Sequence, residues 1–202
     1  MAKFILGKKI GMTRIFTDKQ SIPLTVVRAL PNTILQLKAQ RSDGYNAVQV
    51  GAGEIKEKNV KKPALGHMKK GGALHLVTKE FYAEENDNLK VGDKVNVTQF
   101  AKDDEVTITA VTKGKGYAGV MKRHGFHGGP KTHGSDHHRA PGSIGGAYPQ
   151  RVFKGKKMPG HFGAVVASQK KTKVFDVDER ENLILLTGSI PGANNSWISI
   201  KQ

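Results

Sequence analysis

A mainly β fold is predicted for this chain: an antiparallel β-barrel with a short helical insertion and a long, basic, extended loop. Runs rich in Val, Ile, Thr and Phe recur about every ten residues with Gly, Pro, Asn and Asp between them, the rhythm of a closed or nearly closed barrel. The strand pattern lapses where lysines crowd from Lys56 to Lys62, just ahead of Pro63. A second lapse is longer. The 49 residues from Lys113 to His161 hold 10 of the 33 Lys and Arg, six of the eight His and 12 of the 24 Gly, with Asp136 their single acid. Their apolar side chains follow neither the strand nor the helix period, so the stretch cannot bury a core of its own and is expected to take order from something else.

Taken in order, Phe4–Leu6 reads as the first strand, Lys8, Lys9 and Gly11 as a turn, and Arg14–Phe16 as the next strand. Ile22–Leu30 is rich in β-branched residues and stops at Pro31 and Asn32. Thr33–Ala39 and Ala47–Val50 flank Asp43-Gly44, a pair that accepts positive φ and so favours a tight hairpin. Pro63 presets the first turn of a helix and Gly71-Gly72 ends it, giving a helical insertion near 56–72 with a basic, solvated face. Strands resume at Leu76–Val77 and Phe81–Ala83, the turn Val91-Gly92-Asp93 leads to Val95–Val97, and Val106–Val111 alternates cleanly. Beyond the basic stretch come Ala164–Ser168, Thr172–Val177, a turn over Asp178–Asn182, Leu183–Leu186, a turn over Pro191–Asn195, and Trp197–Ile200. The globular barrel is thus expected over 1–112 and 164–202, with the extension at 113–163. No period of roughly 20 to 50 residues repeats, which excludes a solenoid or propeller.

The length of 202 residues suits one domain with a large insertion. Net charge is +16, of which the Lys113–His161 stretch supplies +9 and the rest of the chain +7. Charge concentrated in a quarter of the sequence is the footprint of a polyanion partner, most directly folded RNA. The absence of cysteine excludes disulfides, thiolate zinc sites and thiol catalysis. Met1–Arg14 offers no apolar h-region, so no signal peptide is expected, and no apolar run is long enough to span a membrane.

The stretch leaves after one strand and returns into another, as two arms of about 24 residues that extend at most about 80 Å. A loop of that length in a compact domain is expected to be functional. Gly114–Gly119 matches G-x-G-x-x-G, but a dinucleotide fold needs a second parallel strand, and Gly125, Gly128, Gly129 and Pro130 end any helix first. His133, Asp136 and His137 imitate a metal constellation, yet the i, i+4 spacing serves only on a helix, which Gly134 and the flanking Pro130 and Pro141 oppose. Ser135 and Ser143 have no ordered scaffold to hold a catalytic geometry. No cofactor, metal, small-molecule substrate or enzymatic activity is expected.

RNA explains the same residues better. Lys113, Lys115, Lys122, Arg123, Lys131, Arg139, Arg151, Lys154, Lys156 and Lys157 are expected to neutralise phosphates, each arginine forking onto a phosphate or base edge. His124, His133, His137, His138 and His161 are expected to stack on bases or donate hydrogen bonds to the RNA. Tyr148 is placed to stack on an unpaired base, or else to anchor the loop by packing. Lys8, Lys9 and Arg14 form a solvated face by default, and in so basic a chain are expected to touch RNA beside the barrel.

Gly7–Phe16 (GKKIGMTRIF), Asp43–Val50 (DGYNAVQV), Lys113–Gly119 (KGKGYAG), Thr132–Gly134 (THG), His138–Gly145 (HRAPGSIG) and Val152–Met158 (VFKGKKM) together resemble the bacterial form of the universal large-subunit ribosomal protein three family. The resemblance runs the length of the chain. It implies a barrel similar to the second domain of translational GTPases, seated on large-subunit ribosomal RNA beside neighbouring ribosomal proteins in the cytoplasm. It further implies an extension reaching toward the peptidyl transferase centre, an early part in subunit assembly, and catalysis left to the RNA. Some members carry a methylated glutamine at the loop tip, but the tip here, Gly145–Arg151, is shorter and Gln150 has no assigned counterpart. His124 stands where relatives often carry an aromatic. Two rival readings are a free RNA chaperone and a metal-dependent nuclease built on His133, Asp136 and His137.

Overall fold

The computed structural model describes residues 3–17, 20–69, 71–82 and 89–202. It divides into two compact units, Met1–Val111 with Val166–Gln202, and Thr112–Val165. In the first unit the strands are β1 (Phe4–Thr17), β2 (Gln20–Arg28), β3 (Asn32–Lys38), β4 (Ala47–Glu54), β5 (His75–Tyr82), β6 (Lys94–Val95) and β7 (Glu105–Val111). Helix α1 (Gln40–Asp43) joins β3 to β4, and α2 (Lys62–Lys69) joins β4 to β5. The second unit holds β8 (Tyr117–Ala118), α3 (Val120–His124) and β9 (Gly160–His161). The chain then re-enters the first unit as β10 (Val166–Asp178), β11 (Leu183–Thr187) and β12 (Trp197–Lys201).

Six strands close an antiparallel barrel in the order β1-β12-β7-β10-β11-β2, and β5-β4-β3-β6 form a separate sheet. The start of β1 serves both. Alternate side chains of a strand point to opposite faces, so Ile5 enters the barrel core with Val27, Ile108, Ile184, Leu186, Ile198 and Ile200. Phe4 and Leu6 point the other way, into a core with Ile34, Val48, Val50 and Phe81. The Phe4 and Phe81 rings stack with centroids 5.0 Å apart. Each fully buried branched or aromatic side chain contributes about 1.5–3 kcal/mol, which makes these two clusters the source of the fold's stability.

Several local expectations are corrected. The turn expected at Gly11 is a β-bulge inside one continuous strand: Lys9 and Gly11 pair with consecutive residues Val27 and Val26, leaving Ile10 as the extra residue. The break expected between Ser168 and Thr172 is also a bulge, with Lys171 at φ 56. The Asp43-Gly44 hairpin is real as a β3–β4 pair, but its link is the helical turn α1, which Gly44 caps at φ 79. Val97 begins a 3-10 turn and does not extend a strand. Leu76–Val77 and Phe81 belong to the single strand β5, and Ala83 lies outside the described residues. The insertion contains a 3-10 turn over Glu57–Asn59 as well as α2.

Candidate nucleic-acid interface

Within Thr112–Val165 the two limbs pair at their base. Thr112 N–H donates to the Val165 carbonyl (2.9 Å), Lys115 N–H to Phe162 (2.8 Å) and Phe162 N–H to Gly116 (2.9 Å). β8 and β9 continue the pairing through Tyr117–His161 and Ala118–Gly160. Gly163 is obligatory here. Its φ is 77, and a Cβ would stand 2.1 Å from the Lys113 carbonyl oxygen. Helix α3 follows and is stopped by Gly125 at φ 71, whose N–H donates to Met121. Arg123 Nη1 donates to the Met158 carbonyl (2.7 Å), and His124 Nε2 lies 3.0 Å from the same oxygen, tying the outgoing helix to the returning limb. Glycine at 160 leaves room for this guanidinium, since a Cβ there would lie 2.8 Å from Arg123 Nη1.

From Met121 to Phe162 not one residue is buried. The loop is held by backbone contact in place of side-chain packing. Gly128 and Gly129 press on the carbonyls of His138 and His137, which a Cβ would meet at 2.3 and 2.2 Å, and Gly129 N–H donates to His137 (3.1 Å). That contact gathers Lys131, His138 and Arg139 around a recess of about 550 Å³ floored by Met121. His138 Nδ1 faces the Pro130 carbonyl at 3.1 Å, which leaves its Nε2 directed elsewhere.

The charge is uncompensated. The ion pairs among the described residues, Lys3–Asp104, Lys38–Glu80 and Lys69–Glu57, lie in the other unit. Lys113, Lys115, Lys122, Lys131, His133, His137, His138, Arg139, Arg151, Lys154, Lys156, Lys157 and His161 are all exposed. Lys115 Nζ rests 4.6 Å over the Phe162 ring, an arrangement that keeps its charge available at the surface. Tyr148 is 90% exposed, so it is not the packing anchor that the sequence left open. Arg123 and His124 are half-buried and already bonded to Met158 as above, so their first role is to fold the loop.

His133 (φ 60) and Gly134 (φ 71) form a left-handed turn, so His133 and His137 do not share a helical face. Among the described residues no group of three His, Asp or Glu stands close enough to hold a metal ion.

In the barrel unit, Arg14 is exposed and Lys8 is half-buried, its Nζ 4.9 Å over the Trp197 ring. Lys9 departs from expectation. It is buried, and its ammonium donates to the carbonyls of Ile190 (3.0 Å) and Gly192 (3.5 Å). A buried ammonium must be hydrogen-bonded, and these carbonyls take it away from the surface. Sequence reasoning missed the setting of Lys8. Strand register places it directly opposite both Arg28, on the next strand, and Trp197, far away in the chain.

A family model described as ribosomal protein L3 matches residues 35–190. The chain is 44% identical over 202 residues to the large ribosomal subunit protein uL3 of Petrotoga mobilis, covering 99% of this chain and 95% of that one. It is 45% identical to the protein of the same name from Carboxydothermus hydrogenoformans, covering 100% of this chain and 98% of that one. For the Herpetosiphon aurantiacus protein the identity is 45%, with coverages of 100% and 97%.

Proposed function

Because the chain belongs to the ribosomal protein L3 family, we propose that it is a structural, non-enzymatic constituent of the large ribosomal subunit in the cytoplasm, and that it binds large-subunit ribosomal RNA directly. The globular barrel, 1–112 with 164–202, docks the chain; the extension, 113–163, threads between RNA helices toward the peptidyl transferase centre and takes part in early subunit assembly. The observation that carries this reading is the run from Met121 to Phe162, in which no side chain is buried while ten cations in the unit face one acid. A segment with so little apolar burial cannot offset its own ordering entropy. A phosphate backbone offsets it by neutralising the cations and releasing counterions. Glycines at 134, 145, 146 and 155, where nothing stands within 4 Å of the Cβ position, leave the backbone open to approach phosphates.

The residues proposed to meet RNA are those with free, exposed heads: Lys113, Lys115, Lys122, Lys131, Arg139, Arg151, Lys154, Lys156 and Lys157, with His133, His137, His138 and His161 beside them and Tyr148 stacking. Lys8 and Arg14 supply contacts from the barrel. The test is sedimentation. In a high-salt sucrose gradient the protein is expected to travel with large subunits in stoichiometric amount. Recovery mainly at the top of the gradient, as for a chaperone that cycles on and off, overturns the reading. Chelator-sensitive RNA cleavage by the purified chain would do the same in favour of a nuclease.

A further inference from the structure

The barrel unit carries a cleft of about 370 Å³ that the extension does not contribute to, lined by Lys8, Ile10, Arg28, Leu30, Leu76 and Trp197 among others. We propose that this cleft receives the base of one unpaired nucleotide, with the adjoining phosphate held by Lys8 and Arg28. The proposal rests on the RNA-binding reading above and adds to it a second, separate contact that selects single-stranded RNA.

Register builds the site. Trp197 on β12, Lys8 on β1 and Arg28 on β2 stand directly opposite one another in successive strands, Lys8 pairing with both neighbours. Directly opposed residues point to the same face with Cβ atoms about 4.5–5.5 Å apart, and like charges so opposed repel. A lysine and an arginine therefore share one face of the sheet, and Lys8 Nζ itself lies 4.9 Å over the Trp197 ring, so a base stacks on that ring as the ammonium moves aside onto the adjoining phosphate. Neither is among the ion pairs formed by the described residues, and among those residues Glu54 is the one acid lining the cleft. Two adjacent, unneutralised cations on a rigid sheet suit one phosphate group.

The aromatic is fixed in place. Gly53, at φ 72, lies against the Cζ2–Cη2 edge of Trp197, where a Cβ would come within 2.8 Å of Cζ2 and 2.9 Å of Cη2. The remaining walls are apolar and uncovered: Leu30 is 55% exposed, Leu76 52% and Ile10 41%. An aromatic beside aliphatic walls, with cations at the mouth, binds the flat face of a base irrespective of its identity. An apolar peptide side chain would fill the walls but leave the paired cations unanswered, which is why the nucleotide is favoured.

Trp197 is the only tryptophan of the chain, so its emission reports on this cleft and on nothing in the extension. The full-length protein is titrated at low salt with a fluorescently labelled hexauridylate, following tryptophan emission and label anisotropy together. Quenching of Trp197 with the same midpoint as the anisotropy is expected. Arg28→Ala should weaken the quenching midpoint about tenfold, the loss of one charge-assisted contact. Leu76→Glu, at a half-exposed position, should abolish quenching with the thermal transition unchanged; should that variant fail to fold, Arg28→Ala still decides. Binding seen by anisotropy with Trp197 emission unmoved overturns the cleft and leaves the RNA-binding reading intact, whereas no binding by either signal sinks both. Equal quenching by an abasic ribose-phosphate hexamer, or quenching only by an apolar peptide, also overturns it.

Discussion

The side-chain amide of Asn32 holds the backbone of Leu6 by both its polar groups: Oδ1 accepts from Leu6 N–H at 2.6 Å, and Nδ2 donates to the Leu6 carbonyl at 3.1 Å. The same Nδ2 donates to the Leu30 carbonyl at 2.8 Å. Asn32 thus acts as a one-residue strand partner at the point where β1 divides its side chains between two cores. Replacing it with alanine leaves buried peptide groups of Leu6 unpaired, at a cost of about 2–4 kcal/mol. For a domain of this size that lowers the melting temperature by roughly 5–15 °C. Calorimetry of Asn32→Ala measures it, and a change below 2 °C would mean water or a neighbour replaces the amide at no cost.

His75 provides a pH dependence. It is buried against Gly51, and neither ring nitrogen has a hydrogen-bond partner among the described residues. Burial pushes its pKa below the ordinary 6.5, outweighing the nearby Gly53 carbonyl and Glu54 carboxylate, which favour the charged ring. The unfolded chain therefore binds this proton more readily than the folded one. Stability is complete above the ordinary value and falls as pH drops from there toward the depressed one. Melting temperatures of the wild type should decline on acidification from neutrality, and those of His75→Phe should decline less over the same range. Parallel curves for the two proteins would remove His75 from the account.

The phosphate contacts predict a salt law. Each contact made by the extension adds roughly 0.7–0.9 to the slope of log affinity against log salt. Changing Lys154, Lys156 and Lys157 together to alanine should lower the slope by about 2–3 and weaken binding to a large-subunit RNA fragment at every sequence tested. Because none of the three lies in a buried position, the thermal transition should not move. A slope equal to that of the wild type would show that these lysines face solvent in the complex.

How much of this was legible in the sequence depends on whether the cause is local. The Val106–Val111 strand was readable because its alternation is local, and the extension because its composition breaks every apolar period. The Gly11 bulge was not, since a glycine soon after the Lys8-Lys9 pair signals a turn equally well and only pairing with Val26 and Val27 decides. Reading a turn there ends the first strand at Leu6 and drops the alternation that runs on through Lys9, which is why Lys8 and Lys9 looked alike although one lies over Trp197 and the other is buried on carbonyls. The cleft was invisible for a related reason. Trp197 meets Lys8 and Arg28 only through register between strands from opposite ends of the chain.

Gly163 tests the base of the extension. With φ at 77 and the Lys113 carbonyl 2.1 Å from where a Cβ would sit, alanine cannot be accommodated without moving backbone. Strain in this conformation and the collision together exceed about 1–2 kcal/mol. Gly163→Ala should part the limbs where Lys115 meets Phe162, seen as faster amide exchange at Lys115 and Phe162 than in the wild type. Affinity for the RNA fragment should fall although no charge has been removed. Unchanged exchange at both amides would show that the limbs are held from elsewhere.

Removing the extension is the strongest test of its separateness. Every residue of the two apolar clusters lies outside Thr112–Val165, so both clusters stay whole when residues 115–160 are deleted, and the buried apolar side chains removed are Ala118 and Val120. What remains between β7 and β10 is Thr112 to Gly114 joined to His161 to Val165, and these strands are antiparallel neighbours paired up to Val111 and Val166. A link of about eight residues suits such neighbours, and closing it costs roughly 1–2 kcal/mol less entropy than closing the full excursion. The shortened protein should therefore melt cooperatively at or slightly above the wild-type temperature. It should keep the Trp197 emission of the folded barrel while losing most of its affinity for the RNA fragment and its incorporation into large subunits. Disappearance of the barrel's own transition would mean that the basic segment, though it buries almost nothing, is needed to hold the fold together.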